Sequence, residues 1–205
     1  MDFLTFRNRM YHLGCFHINQ VLIWEHGFDR NNLTRWCAKG LLLKLKNEYY
    51  AFPEYKQVSD FVRYVANKIY SPSYISIHSA LSFYGIIPEE VFSITSVTTL
   101  KTNKFANDFG TYTYQTIKRD LFFGYEPKIM SDGRAMLFAT PEKAILDLLY
   151  LHPFYNTEQD LLDLRFDDYF MQEDLNRLRL QNYLARFKNK SLENRVKTML
   201  KVYDI

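Results

Sequence analysis

The hydrophobic rhythm of the first 57 residues changes once, and that change limits the possible folds more than any other feature. Phe3, Phe6, Met10 and Leu13 recur at three- and four-residue spacing, which predicts a helix over 3–13 ended by Gly14. Ile18, Val21, Leu22 and either Ile23 or Trp24 predict a second helix over 18–26, followed by a turn at Gly27-Phe28. Asp29 or Asn31 can cap a third, running to about Lys39, and Gly40 sits where a helix end favours a left-handed residue. The pattern then becomes strand-like. Leu41–Leu45 and Tyr49–Phe52 read as two strands joined at Lys46-Asn47-Glu48 and ended by Pro53. Three short helices followed by a two-stranded ribbon is the outline of a winged helix-turn-helix.

Charge concentrates on this segment. The formal net charge is +3, and residues 1–57 carry all of it; beyond them acids and bases balance. Arg30, Arg35, Lys39, Lys44 and Lys46 fall within seventeen positions, with Asp29 beside them. On a helical wheel Leu33, Trp36 and Cys37 point one way and Asn31, Thr34, Arg35 and Ala38 the other, with Lys39 flanking. The outward set suits a major groove: Arg can grip guanine, Asn adenine, and Thr or Ala a thymine methyl. Lys44 and Lys46 on the ribbon suit the adjacent backbone or minor groove. Arg30, Asn31, Thr34, Arg35, Lys39, Lys44 and Lys46 are therefore the candidate DNA-binding residues.

The remainder predicts an α+β chain with its domain boundary near 53–72: residues 1–56 as one unit and 57–205 as a mixed α/β second domain with a helical tail over 155–205. Val58, Phe61, Val62, Val65 and Ile69 predict a helix over 57–69, and Ile77, Ala80, Leu81 and Tyr84 one over 76–84 with Ser76 as its cap. Strand-like runs occupy 91–99, 111–118, 121–128 and 135–138. Thr140 and Pro141 open a helix to Leu151, on which Lys143 reads as solvated or paired with Asp147 one turn later. In the tail, residues 153–175 carry seven acids and one base and residues 176–205 eight bases and two acids, which fits two helices pairing with each other.

Several chemistries lack their residues. No glycine-rich phosphate loop occurs. His12, Cys15, His17, His26 and Cys37 share one segment without zinc-ligand spacing. Ser76, His78 and Ser79 have no third partner and no nucleophile elbow. Glu142 and Lys143 are adjacent on a helix start, not two apart on a strand as a nuclease would need. The expectation is a non-enzyme without cofactor or metal. No apolar run approaches the roughly 18 residues of a membrane span, and no secretory signal opens the chain, so a cytoplasmic protein with reduced thiols is expected.

Five segments, in order, carry a family resemblance: Tyr74 to Glu89 (YISIHSALSFYGIIPE), Thr95 to Thr99, Phe109 to Tyr114, Leu121 to Tyr125, and Thr140 to Tyr150 (TPEKAILDLLY). Over residues 12–155 the chain resembles the AbiE-type antitoxins of type IV toxin–antitoxin (abortive infection) systems. The resemblance implies an N-terminal winged helix that binds inverted repeats in double-stranded DNA and represses its own operon. It also implies a C-terminal domain that counters a nucleotidyltransferase-like toxin without a stable complex. Family members often carry Gly at the wing tip. Here the tip is Lys46-Asn47-Glu48: Asn47 tolerates the left-handed conformation, and Glu48 brings a negative charge near any phosphate. The alternative is a stand-alone winged-helix regulator whose second domain dimerises or senses a ligand.

Overall fold

The computed structural model describes residues 1–89 and 91–205 and is α+β. Helices α1 (Phe3–Met10), α2 (Ile18–Trp24) and α3 (Asn31–Ala38) pack with a three-stranded antiparallel sheet of β1 (Cys15–His17), β2 (Leu43–Lys46) and β3 (Tyr49–Ala51) in the order β1-β3-β2. Phe6 is the hub, with ring centroids 4.6 Å from Trp36, 5.6 Å from Phe16 and 5.7 Å from Phe28. These aromatics let a small module enclose a core, since each removes a large apolar surface from water. Gly40 ends α3 at φ 70°, and Leu41 N–H closes back on the Trp36 carbonyl at 2.9 Å.

The second module is built on a six-stranded sheet. Its strands are β4 (Ser73–Ile75), β5 (Ser93–Thr98), β6 (Asn103–Asn107), β7 (Gly110–Thr116), β8 (Tyr125–Ile129) and β9 (Ala135–Ala139), ordered β6-β7-β5-β4-β9-β8. Pairs β5–β7 and β4–β9 are parallel and the rest antiparallel. Helix α4 (Phe61–Ile69) packs on β4, β5 and β9, and α5 (Ile77–Phe83) lies against β5 and α6 (Pro141–Leu151). The tail adds α7 (Glu158–Leu162), α8 (Arg177–Phe187) and α9 (Lys190–Val202), with α8 on α6 and α9 on both α6 and α7.

Four expectations need correction. The helix expected over 57–69 begins only at Phe61, because Pro53–Gln57 is a separate 3-10 turn; Val58 and Val62 are half-buried. The strand expected at 121 begins at Tyr125, since Arg119–Leu121 is a 3-10 turn and Gly124 bends the chain at φ 71°. Strands β1, β4 and β6 lie outside the expected strand-like runs. The first two are three residues each, too short for alternation, and β6 is a polar edge strand on which only Phe105 packs on the core. The acidic and basic tail segments share one ion pair among the described residues, Glu158–Lys201 at 2.6 Å; otherwise α7 packs on α9, and the Tyr203 hydroxyl accepts from Phe166 N–H at 3.0 Å and donates to the Leu161 carbonyl at 3.2 Å.

Polar struts lock the modules together. Arg134, on the loop between β8 and β9, donates to the His12 carbonyl at 3.1 Å and to the Tyr55 hydroxyl at 2.6 Å. Gly14 lies so close that a Cβ there would stand 2.9 Å from Arg134 and Phe61, at a φ of +70° that favours glycine. Asn107 donates to the Leu45 carbonyl at 3.0 Å, and Tyr55 stacks on Phe61 at 4.4 Å.

Candidate nucleic-acid interface

Helix α3 presents the two faces that its periodicity implies. Leu33 and Trp36 are buried and Cys37 half-buried, while Asn31, Thr34, Arg35, Ala38 and Lys39 are exposed. Neither Asp29 nor Asn31 takes the cap position of α3, which falls to Arg30 and has no side-chain cap; Asp29, one residue earlier, accepts the Asn31 N–H at 2.9 Å. The same carboxylate lies 3.3 Å from Arg35, whose guanidinium also donates to Asn32 Oδ1 at 2.6 Å. Arg35 is thus held in place and yet 63% exposed. An exposed pair of this kind contributes only about 0–1 kcal/mol, so exchanging Asp29 for a base edge or phosphate costs little.

Arg30, at the helix entrance, lies 3.6 Å from Glu48, and Glu48 also meets His17 at 3.4 Å. The left-handed residue of the β2–β3 turn is Glu48, at φ 64°. A glutamate there is strained; Arg30 offsets its charge, and His17 Nε2 lies within reach of its carboxylate. His17 in turn caps α2, its Nδ1 accepting from Asn19 N–H while Gln20 accepts the His17 N–H at 2.8 Å.

Lys44 and Lys46 do not share a face. Lys44 is opposite Tyr50 and Lys46 opposite Tyr49, so Leu45 is an extra residue in the ladder, a β-bulge. Adjacent residues of β3 point to opposite faces, and the two lysines therefore do so too. Lys44 is exposed. Lys46 turns to the second module, donating to the Ile69 carbonyl at 2.9 Å with its ammonium 4.5 Å from the ring centroids of Tyr70 and Phe105. Partial burial pulls its pKa below the ordinary lysine value. Lys46 is accordingly a strut between modules and drops out of the candidate interface. Arg30, Asn31, Thr34, Arg35, Lys39 and Lys44 remain exposed on α3, its entrance and the ribbon.

A second polar cluster lies in the other module. Lys143 and Asp147 form an ion pair one helical turn apart on α6, both fully buried. Lys143 Nζ donates to the Tyr74 hydroxyl at 2.8 Å; the Tyr74 hydroxyl and Ser76 Oγ donate to Asp147 Oδ2 at 2.9 and 2.8 Å. Burial pushes the Lys143 ammonium down and the Asp147 carboxyl up from their ordinary values, each opposed by the charge of the other. Ser76 occupies the cap position of α5, but its hydroxyl bonds Asp147 and leaves the cap unmade. The quartet pins the corner between β4 and α5, where Ile77 holds φ 55°, a strained value for a β-branched residue. All four side chains have no exposed surface, so no substrate can reach them as they stand.

Among the described residues no group of three or more His, Cys, Asp or Glu side chains could hold a metal, and no helix is long and apolar enough to cross a membrane. The Cys15 thiol is buried and its pKa pushed up to about 12 by burial. Comparison of the sequence with protein-family models and with curated proteins finds no match.

Proposed function

We propose that this protein binds duplex DNA through a winged helix-turn-helix and represses its own operon. We further propose that it serves as the antitoxin of a type IV toxin–antitoxin pair, countering a nucleotidyltransferase-like toxin without a stable complex. The observation that carries the DNA reading is the outward face of α3, where Asn31, Thr34, Arg35 and Lys39 stand exposed beside Arg30 and Lys44. In this reading α3 enters the major groove and the β2–β3 hairpin is the wing. Arg35 and Asn31 read base edges; Arg30, Lys39 and Lys44 contact phosphates and set the salt dependence. The antitoxin half rests on the resemblance carried by the segments between Tyr74 and Tyr150.

A gel-shift series with the region upstream of the gene tests the first half. Arg35→Ala should weaken specific binding by ~1–3 kcal/mol while non-specific binding changes less. Unchanged affinity and sequence preference would remove Arg35 from the reading set. Co-expression with the adjacent gene tests the second half: growth restored by this protein supports the antitoxin, and growth arrest despite its presence contradicts it.

A further inference from the structure

A cavity of about 580 Å³ lies in the seam between the two modules. His17 and Tyr49 line it from the three-stranded sheet, Tyr64 and Lys68 from α4, Ser73 from β4 and Tyr125 from β8. Its size falls within the range of small-molecule sites. Three features give it a chemical preference. Among the described residues no carboxylate lines it; the nearby Glu48 is held by His17 and Arg30. Lys68 brings an ammonium in no ion pair among the described residues, 5.2 Å from the Tyr64 ring centroid. Ser73 is 2% exposed, and its hydroxyl has no hydrogen-bond partner among the described residues. A buried hydroxyl left unpaired carries a desolvation cost that an incoming polar group can remove. The remaining walls include the rings of Tyr49, Tyr64, Phe122 and Tyr125, flat surfaces against which a planar group can pack.

We propose that this cavity binds a small organic anion carrying a planar ring, with its charged group at Lys68, a polar atom at Ser73 and its ring against the tyrosines. A nucleoside monophosphate and an aromatic carboxylate share this chemistry. Because the walls come from both modules, an occupant stabilises their contact. Ligand binding itself does not depend on the DNA reading.

Isothermal titration of the full chain with adenosine monophosphate, salicylate, adenosine and inorganic phosphate tests the proposal. The expected result is saturable one-site binding of at least one of the two ring-bearing anions, at least tenfold tighter than that of adenosine or phosphate. The thermal midpoint should rise with ligand concentration. Preference for adenosine monophosphate assigns a nucleotide and preference for salicylate a carboxylate. Lys68→Met and Ser73→Ala should each weaken binding at least fivefold. Lys68 is exposed, so Lys68→Met should leave the midpoint of the unliganded protein unchanged. Absence of saturable binding by both anions, equal binding of adenosine or phosphate, or binding unchanged by Lys68→Met would overturn the proposal.

Discussion

The face of α3 and the quartet under α5 use the same ingredients, a base beside an aspartate, and solvent sets them apart. Arg35 and Asp29 are both more than half exposed, whereas Lys143 and Asp147 have no exposed surface. In water the pair is weak and its members can exchange partners. In the core the charges need one another and every available hydrogen bond, because removing one leaves the other desolvated and alone. The first arrangement leaves a cation ready for an external anion. The second fixes a strained corner of the chain.

That contrast can be broken from either side. The largest effect is expected for Asp147→Ala, which strands Lys143 in the core and should cost about 3–5 kcal/mol in urea unfolding. Replacing both partners by Lys143→Met and Asp147→Leu removes the stranded charge and should cost less than the single change, the remaining loss coming from the Tyr74 and Ser76 hydroxyls left without Asp147; equal losses would mean that charge does not hold the corner. Arg35→Ala inverts the pattern, with little change in the unfolding midpoint but DNA affinity down by about 1–3 kcal/mol. Lys46→Met sharpens it. As a strut its loss should lower stability by about 1 kcal/mol in urea unfolding, with the salt dependence of DNA binding unchanged. The smallest effect is Glu48→Gly. Relief of the left-handed strain should gain up to about 1 kcal/mol, partly offset by the entropy of glycine and the lost ion pairs, and DNA binding should tighten slightly as a negative charge leaves the turn. A lower midpoint with weaker DNA binding would show that Glu48 organises Arg30 instead of opposing it.

Much of this was legible in the chain. Thr140 and Pro141 announce α6, and the Thr140 hydroxyl accepts from Lys143 N–H at 3.4 Å. The spacing of Leu33 and Trp36 sorts α3 into inner and outer faces. The i, i+4 spacing of Lys143 and Asp147 suggested a pair, but nothing local marks it as buried: its other members, Tyr74 and Ser76, lie some 70 residues away, brought in by the β4–α5 corner. Lys46 leaves its expected face for a different reason. Alternation along a strand assumes an unbroken ladder, and one bulged residue, Leu45, reverses the face of whatever follows it. The short strands β1 and β4 could not announce themselves because three residues hold no period.

The exposed bases around α3 are proposed to contact duplex DNA. Fluorescence anisotropy on a duplex from upstream of the gene, over a salt series, measures this directly. The wild-type affinity should fall steeply with salt, and the combined Arg30, Arg35, Lys39 and Lys44→Ala variant should lose most of its binding. Its log–log salt slope should be shallower by about 0.9 for each phosphate contact removed, at an unfolding midpoint close to that of the wild type. Binding by that variant as tight and as salt-sensitive as the wild type, or a wild type that binds no duplex, would contradict the account.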